Sequence, residues 1–150
     1  MTRLWGTDSR GKVIHVSGLN YAKLRLFQLS ILWRAGVSSL PDFSQVKLGP
    51  HEEVLRRMLL AKNAGVPSEY GCIMHLVTHD SKPFTALVVP PTWARLSGHR
   101  AYRFIFGGIG FVYAVTKAHL PAAMTAAFVQ EDGTAVVMLK PITETGYLMK

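Results

Sequence analysis

At Tyr70 the spacing of apolar residues changes, and that change limits what the chain can fold into. Before it, apolar side chains recur at three- and four-residue intervals. After it, "YGCIMHLVTH" alternates strictly, with Cys72, Met74, Leu76 and Thr78 on one side and Ile73, His75, Val77 and His79 on the other. A period of 3.6 needs a helix and a period of two needs a strand, so helices come first and most strands follow. That order predicts an α+β fold. We expect a single domain in which an antiparallel sheet of about four to six strands packs against two or three helices.

The first helix is expected over about Tyr21–Ala35, with Asn20 as its N-cap. Leu24, Leu26, Phe27, Leu29, Ile31, Leu32 and Trp33 leave only a thin polar stripe, so most of it should be buried. In the second, "LGPHEEVLRRMLLAKNAG", Pro50 suits the first helical position. Glu52 and Glu53 favour the positive end of the helix dipole and Gly65 suits the stop. A short strand is expected at residues 11–18, before the first helix. "PFTALVVPP" reads as a strand stopped by Pro90 and Pro91, and "PTWARLSG" as one helical turn capped by Thr92. "AYRFIFGGIGFVYAVTK" reads as a strand pair turning at Gly107-Gly108, Pro121 as the start of a helix to about Gln130, and "TAVVMLK" as a last strand.

Charge narrows the partners. Seventeen Lys and Arg stand against nine Asp and Glu, for a net charge of +8, and two stretches, residues 9–41 and 81–130, contain no acid. A surface of this kind attracts polyanions by long-range attraction and counterion release. Within "WARLSGHRAYRF" (residues 93–104), Arg95, His99, Arg100 and Arg103 are interleaved with Trp93, Tyr102 and Phe104. Cations for phosphate and aromatic faces for stacking are the components of a single-stranded nucleic-acid groove. Arg95, Arg100, Arg103 and Lys117 are therefore the expected phosphate contacts on DNA or RNA, with Lys23 and Arg25 as additions.

Other constellations have simpler explanations. The longest uncharged stretch of interest for a membrane, residues 104–116, has 13 residues and three glycines, whereas a spanning helix needs about 20 apolar ones. The N-terminus carries no signal-peptide block, and a soluble, cytoplasmic protein is expected. The single cysteine, Cys72, allows no internal disulfide and no zinc site built on two thiolates. His75 and His79 share one side of a strand but lack a third ligand, and read as partly exposed histidines rather than a metal site. "FGGIGF" has strand formers on both sides, not the helix that a phosphate loop requires, and no cofactor is expected. No "GxSxG" frame accompanies the serines.

His51 beside Glu52 and Glu53 has the residue types for acid–base work, so a hydrolase or nuclease there is one alternative. The carboxylates' place in a first helical turn already accounts for them electrostatically. Arg34 closes the uncharged run Leu26–Trp33. If that helix is buried, Arg34 needs a carboxylate, and Glu52 or Glu53 is nearest in sequence. Arg34, His51, Glu52 and Glu53 are thus expected to form a structural polar cluster joining the two helices.

Two stretches, "KLRLFQLSILWRAGVSS" and "VKLGPHEEVLRRMLL", resemble the C-terminal module of a group of uncharacterised bacterial proteins of the HNH-endonuclease type. The resemblance covers about residues 20–62 and, more faintly, "AYRFIFGGIGFVYAV". In that group a zinc-ribbon-like segment with paired cysteines and an HNH motif precedes the module. This chain has no Cys-x-x-Cys, so neither metal nor nuclease residues carry over to any position. The resemblance implies the accessory half of such a protein, or a truncated descendant, with nucleic acid, a nuclease partner or another copy of itself as what it binds; a bacterial or phage origin is expected. An accessory, non-catalytic domain associated with nucleic acid is the leading expectation. A protein-interaction module binding an acidic partner through the same basic face, with an apolar patch beside it, is the other alternative.

Overall fold

The computed structural model describes residues 3–8, 11–116 and 120–144. Two strands, β1 (Arg3–Asp8) and β2 (Gly11–Val16), precede α1 (Tyr21–Val37) and α2 (His51–Leu60). Six more strands follow: β3 (Cys72–His79), β4 (Lys82–Pro83), β5 (Val89–Leu96), β6 (His99–Phe106), β7 (Ile109–Ala114) and β8 (Ala135–Pro141). A short helix, α3 (Ala122–Thr125), precedes β8. The sheet order is β1-β2-β8-β3-β7-β6-β5, with β4 paired to β3 off that path.

The α+β class holds, but the sheet is mixed and larger than expected. β3 and β8 run parallel, Met74 facing Val137, while the other neighbours are antiparallel. The long excursion from β3 through four further strands and α3 provides the crossover that a parallel pair requires. Three other expectations change. "PTWARL" is part of β5 rather than a helical turn, and α3 has four residues instead of reaching Gln130. The strand expected over "PFTALVVPP" is not formed: residues 84–88 are turn and connection, and Pro90 and Pro91 lie at the start of β5, a sheet edge whose register shifts between Val89 and Thr92. An edge strand with a bulge tolerates the missing N–H groups.

The start of α1 follows its sequence signal, since Asn20 Oδ1 accepts the Lys23 N–H at 3.0 Å. Both long helices pack on one side of the sheet. Leu29 and Leu32 of α1 and Leu55 and Met58 of α2 join Cys72, Met74, Tyr102, Phe104, Phe111 and Tyr113 in the main core. A smaller cluster of Val77, Ile105 and Ile142 lies on the other side, as the alternation of strand residues requires.

The buried cation of α1 is Arg25, not Arg34. Arg25 is 1% exposed and its guanidinium donates to the carbonyls of Val66, Glu69 and Tyr70, the Tyr70 bond measuring 3.1 Å. These residues form the connection between α2 and β3, so one side chain ties α1 to the entry of the central strand. Arg34 is exposed and makes no ion pair among the described residues. Glu53 pairs instead with Arg56 at 2.8 Å and Arg57 at 3.1 Å within its own helix. The expected bridge from Arg34 to Glu52 or Glu53 is therefore absent.

Replacing Arg25 with Met should lower unfolding free energy in urea by about 2–4 kcal/mol, because three buried carbonyls lose a charged donor. Arg34→Met should change it by no more than about 0.5 kcal/mol, as for other exposed sites. Equal effects at the two positions would contradict this assignment of the buried cation.

Candidate nucleic-acid interface

The β5–β6 hairpin turns through Ser97 and Gly98, whose φ angles are +48° and +80°. Two successive left-handed residues make the tight turn whose twist suits a two-residue hairpin, and glycine at the second costs no strain. The turn fixes the register: Arg95 faces Arg100, Trp93 faces Tyr102 and Thr92 faces Arg103. Alternation then puts Trp93, Arg95, Arg100 and Tyr102 on the helix-covered side and Arg103 on the other.

Tyr102 anchors this group. Its ring is buried, while its hydroxyl donates to the Lys47 carbonyl at 2.9 Å and accepts the Lys47 N–H at 2.9 Å. The loop before α2 is thereby held against the hairpin, and Gln45 Oε1 accepts the Trp93 N–H at 3.0 Å. Trp93 stays 44% exposed. The Arg95 guanidinium lies 4.9 Å from the centroid of its ring and that of Arg100 6.0 Å, both within cation–π range. Arg95 also donates to the Gly98 carbonyl at 3.1 Å. Neither arginine has a carboxylate partner among the described residues, and Lys47 adds a third exposed cation beside them. Like charges placed directly opposite across a strand pair repel.

The remaining expected contacts are dispersed. Lys23 is exposed on the first turn of α1, a separate element. Arg25 is buried and so is withdrawn from any surface role. Lys117 lies outside the described residues. Arg103 lies near His75 on the opposite side of the sheet, and Lys47, a lone cation in a loop, carries no signal in the sequence.

His75 is 2% exposed, not partly exposed like His79. A β-carbon on Gly110, its partner on β7, would lie 2.0 Å from the imidazole, so glycine there makes room for the ring. Burial, followed by the nearby charges of Lys140 and Arg103, pushes His75 down to about 4. Burial likewise raises the Cys72 thiol far above its ordinary value, leaving it a protonated packing group.

The polar cluster expected around His51 divides up. His51 Nδ1 is 2.8 Å from the Tyr70 hydroxyl, Glu52 is exposed, and the two arginines beside Glu53 hold its carboxyl down to about 2, chiefly through the Arg56 hydrogen bond. Tyr70, but not His51, lines a pocket of about 790 Å³ together with Val54, Glu69 and Gln130 among others. Among the described residues no three His, Cys, Asp or Glu side chains converge as a metal-binding group. Nor is any helix among them long and apolar enough to cross a membrane. No family model, curated protein or solved structure matches the chain.

The His75 geometry has a consequence for pH. Unfolded, its imidazole titrates near 6.5, so between pH 6.5 and 4 the unfolded chain binds the proton and the folded one does not. Stability from this site is complete above about pH 6.5 and declines as pH falls toward 4, by at most about 3 kcal/mol. Urea unfolding at pH 7 and pH 4.5 should show the loss, and His75→Gln should flatten it. An equal slope in the variant would assign the effect to other groups.

Proposed function

We propose that the chain is an accessory, non-catalytic domain that binds single-stranded nucleic acid through the Trp93–Arg95–Arg100 face, consistent with the role its resemblance implies. One observation carries the reading: two arginines face each other across a hairpin, without acidic partners among the described residues, over a half-exposed indole. Mutual repulsion makes this arrangement costly when empty, and a phosphate between the guanidiniums relieves it. The indole offers an adjoining base a stacking surface, an interaction worth about 1–3 kcal/mol per base. Lys47 extends the positive surface along the loop that Tyr102 holds in place. Nothing in the patch reads a base edge, so sequence preference should be weak.

Fluorescence anisotropy with labelled single- and double-stranded DNA and RNA over a salt series tests this. Single strands should bind with micromolar affinity, more tightly than duplexes, and weaken linearly on a log–log plot. The double substitution Arg95→Ala, Arg100→Ala should reduce the slope by about 1.4, since each phosphate contact on a single strand contributes about 0.7. Trp93→Ala should weaken binding at all salt concentrations while leaving the slope in place. Arg103→Ala, on the other side of the sheet, should leave both unchanged. Absence of binding at low salt would exclude the function.

A further inference from the structure

At the far end of the helix-covered side of the sheet, one row of residues runs across four strands. Leu139 on β8 faces Leu76 on β3, Leu76 faces Ile109 on β7, and Ile109 faces Phe106 on β6. All four are apolar. None is fully buried, and Ile109 is 42% exposed. The next row inward, which includes Met74 and Phe111, is packed under α1 and α2. α1 thus stops short of the last row and leaves a shelf.

The helix also forms a wall beside it. Phe27 meets Phe111 edge to face, with ring centroids 6.3 Å apart, yet remains 53% exposed. Phe27 and Ile31 of α1, with Phe106 of β6 and Ile109 and Phe111 of β7, enclose a groove of about 320 Å³ in which no side chain carries a polar atom. At 100° per residue, Lys23, Phe27, Ile31 and Arg34 fall within an arc of about 80° on α1. Both cations are exposed, about 16 Å apart along the axis, and bracket the two apolar residues. The sequence has no acid from residue 9 to residue 41 to offset them.

We propose that this groove docks an acidic amphipathic helix of a partner protein. The strands of the floor already have hydrogen-bonded neighbours on both sides, so no edge is free to add an extended peptide. An occupant must arrive with its own backbone bonds made, which favours a helix. The row of four strands is about 14 Å across, the length of two to three helical turns. Such a helix places apolar residues at i, i+4 and i+7 in the groove and carboxylates toward Lys23 and Arg34. The lining gives a nucleic-acid strand nothing to bond, and a recess between wall and floor is poorly reached by a flat bilayer. The site shares no residue with the Trp93 face.

The test pans the full chain against a phage-displayed library of random 16-residue peptides. Peptides with that apolar spacing and Asp or Glu toward the ends should be enriched. Their synthetic versions should bind Ile109→Asp, and the double variant Lys23→Glu, Arg34→Glu, at least tenfold more weakly. Both variants alter exposed positions, and circular dichroism should show them folded. Arg95→Ala, Arg100→Ala should bind the peptides as the parent does, which separates this site from the nucleic-acid face. The proposal is overturned if no peptides are enriched, or if those enriched bind Ile109→Asp equally well. It is also overturned if Ile109→Asp instead abolishes self-association, which assigns the groove to a second copy. Loss of binding to phosphatidylserine-containing vesicles without any peptide binding assigns it to a membrane surface and likewise overturns it.

Discussion

The Arg25 guanidinium organises the centre of the molecule. It is a buried cation without a buried carboxylate among the described residues, a costly arrangement unless dipoles replace the lost water. Three carbonyls from Val66 to Tyr70 supply them. The Tyr21 hydroxyl, one turn earlier on α1, donates to the Gly65 carbonyl at 2.7 Å and fixes the same connection. The entry to β3 is therefore set by side chains of α1 before any strand pairing is considered. β3 then takes β8 and β7 as neighbours, so an error at its entry would propagate through the whole sheet. Apolar residues alone would hold α1 to the sheet, but they would tolerate several sliding positions. Three directional bonds tolerate one.

Much of this was legible in the sequence. The two-residue period identified β3, the glycine pair identified the β6–β7 turn, and Asn20 marked the start of α1. The burial of Arg25 is legible too, although its charge suggests a surface phosphate contact. Arg25 precedes Leu29 by four residues and Leu32 by seven, the spacing of a single buried face, whereas Arg34 lies with Lys23, Phe27 and Ile31 on the face opposite. The apolar residues around both arginines hid the distinction, because a helix with so thin a polar stripe has no obvious outside.

Other features lay beyond local pattern. Pro90-Pro91 reads as a strand terminator unless the strand is known to be an edge, and edges are a property of the assembled sheet. The parallel β3–β8 pair joins residues more than 60 positions apart, Met74 with Val137, and no periodicity records which strands become neighbours. The separation of Arg103 from Arg95 and Arg100 follows from the hairpin register. With Arg95 opposite Arg100, Arg103 is three positions along β6 and must point to the other side. A turn at Ser97-Gly98 is enough to make that division, but Thr92 and Gly98 are also the cap and exit of a helical turn, and the local sequence does not choose between the two.

The chain's positive charge accordingly serves different purposes at different places. Arg25 is neutralised by carbonyl dipoles and acts on the fold. Arg56 and Arg57 are matched to Glu53 within α2. Arg95 and Arg100 meet an indole face and the backbone carbonyls of Gly98 and Lys47, but no carboxylate among the described residues, so their charge is left unneutralised at the surface. Lys23 and Arg34 differ again. The uncharged run from Leu26 to Trp33 faces the core on one side and the open groove on the other, so part of it stays in water. A cation at each end of that exposed stripe keeps it soluble when empty and selects for negative charge in whatever covers it. An apolar run that serves two surfaces at once needs charge where its open surface ends, and Arg34 stands at that point.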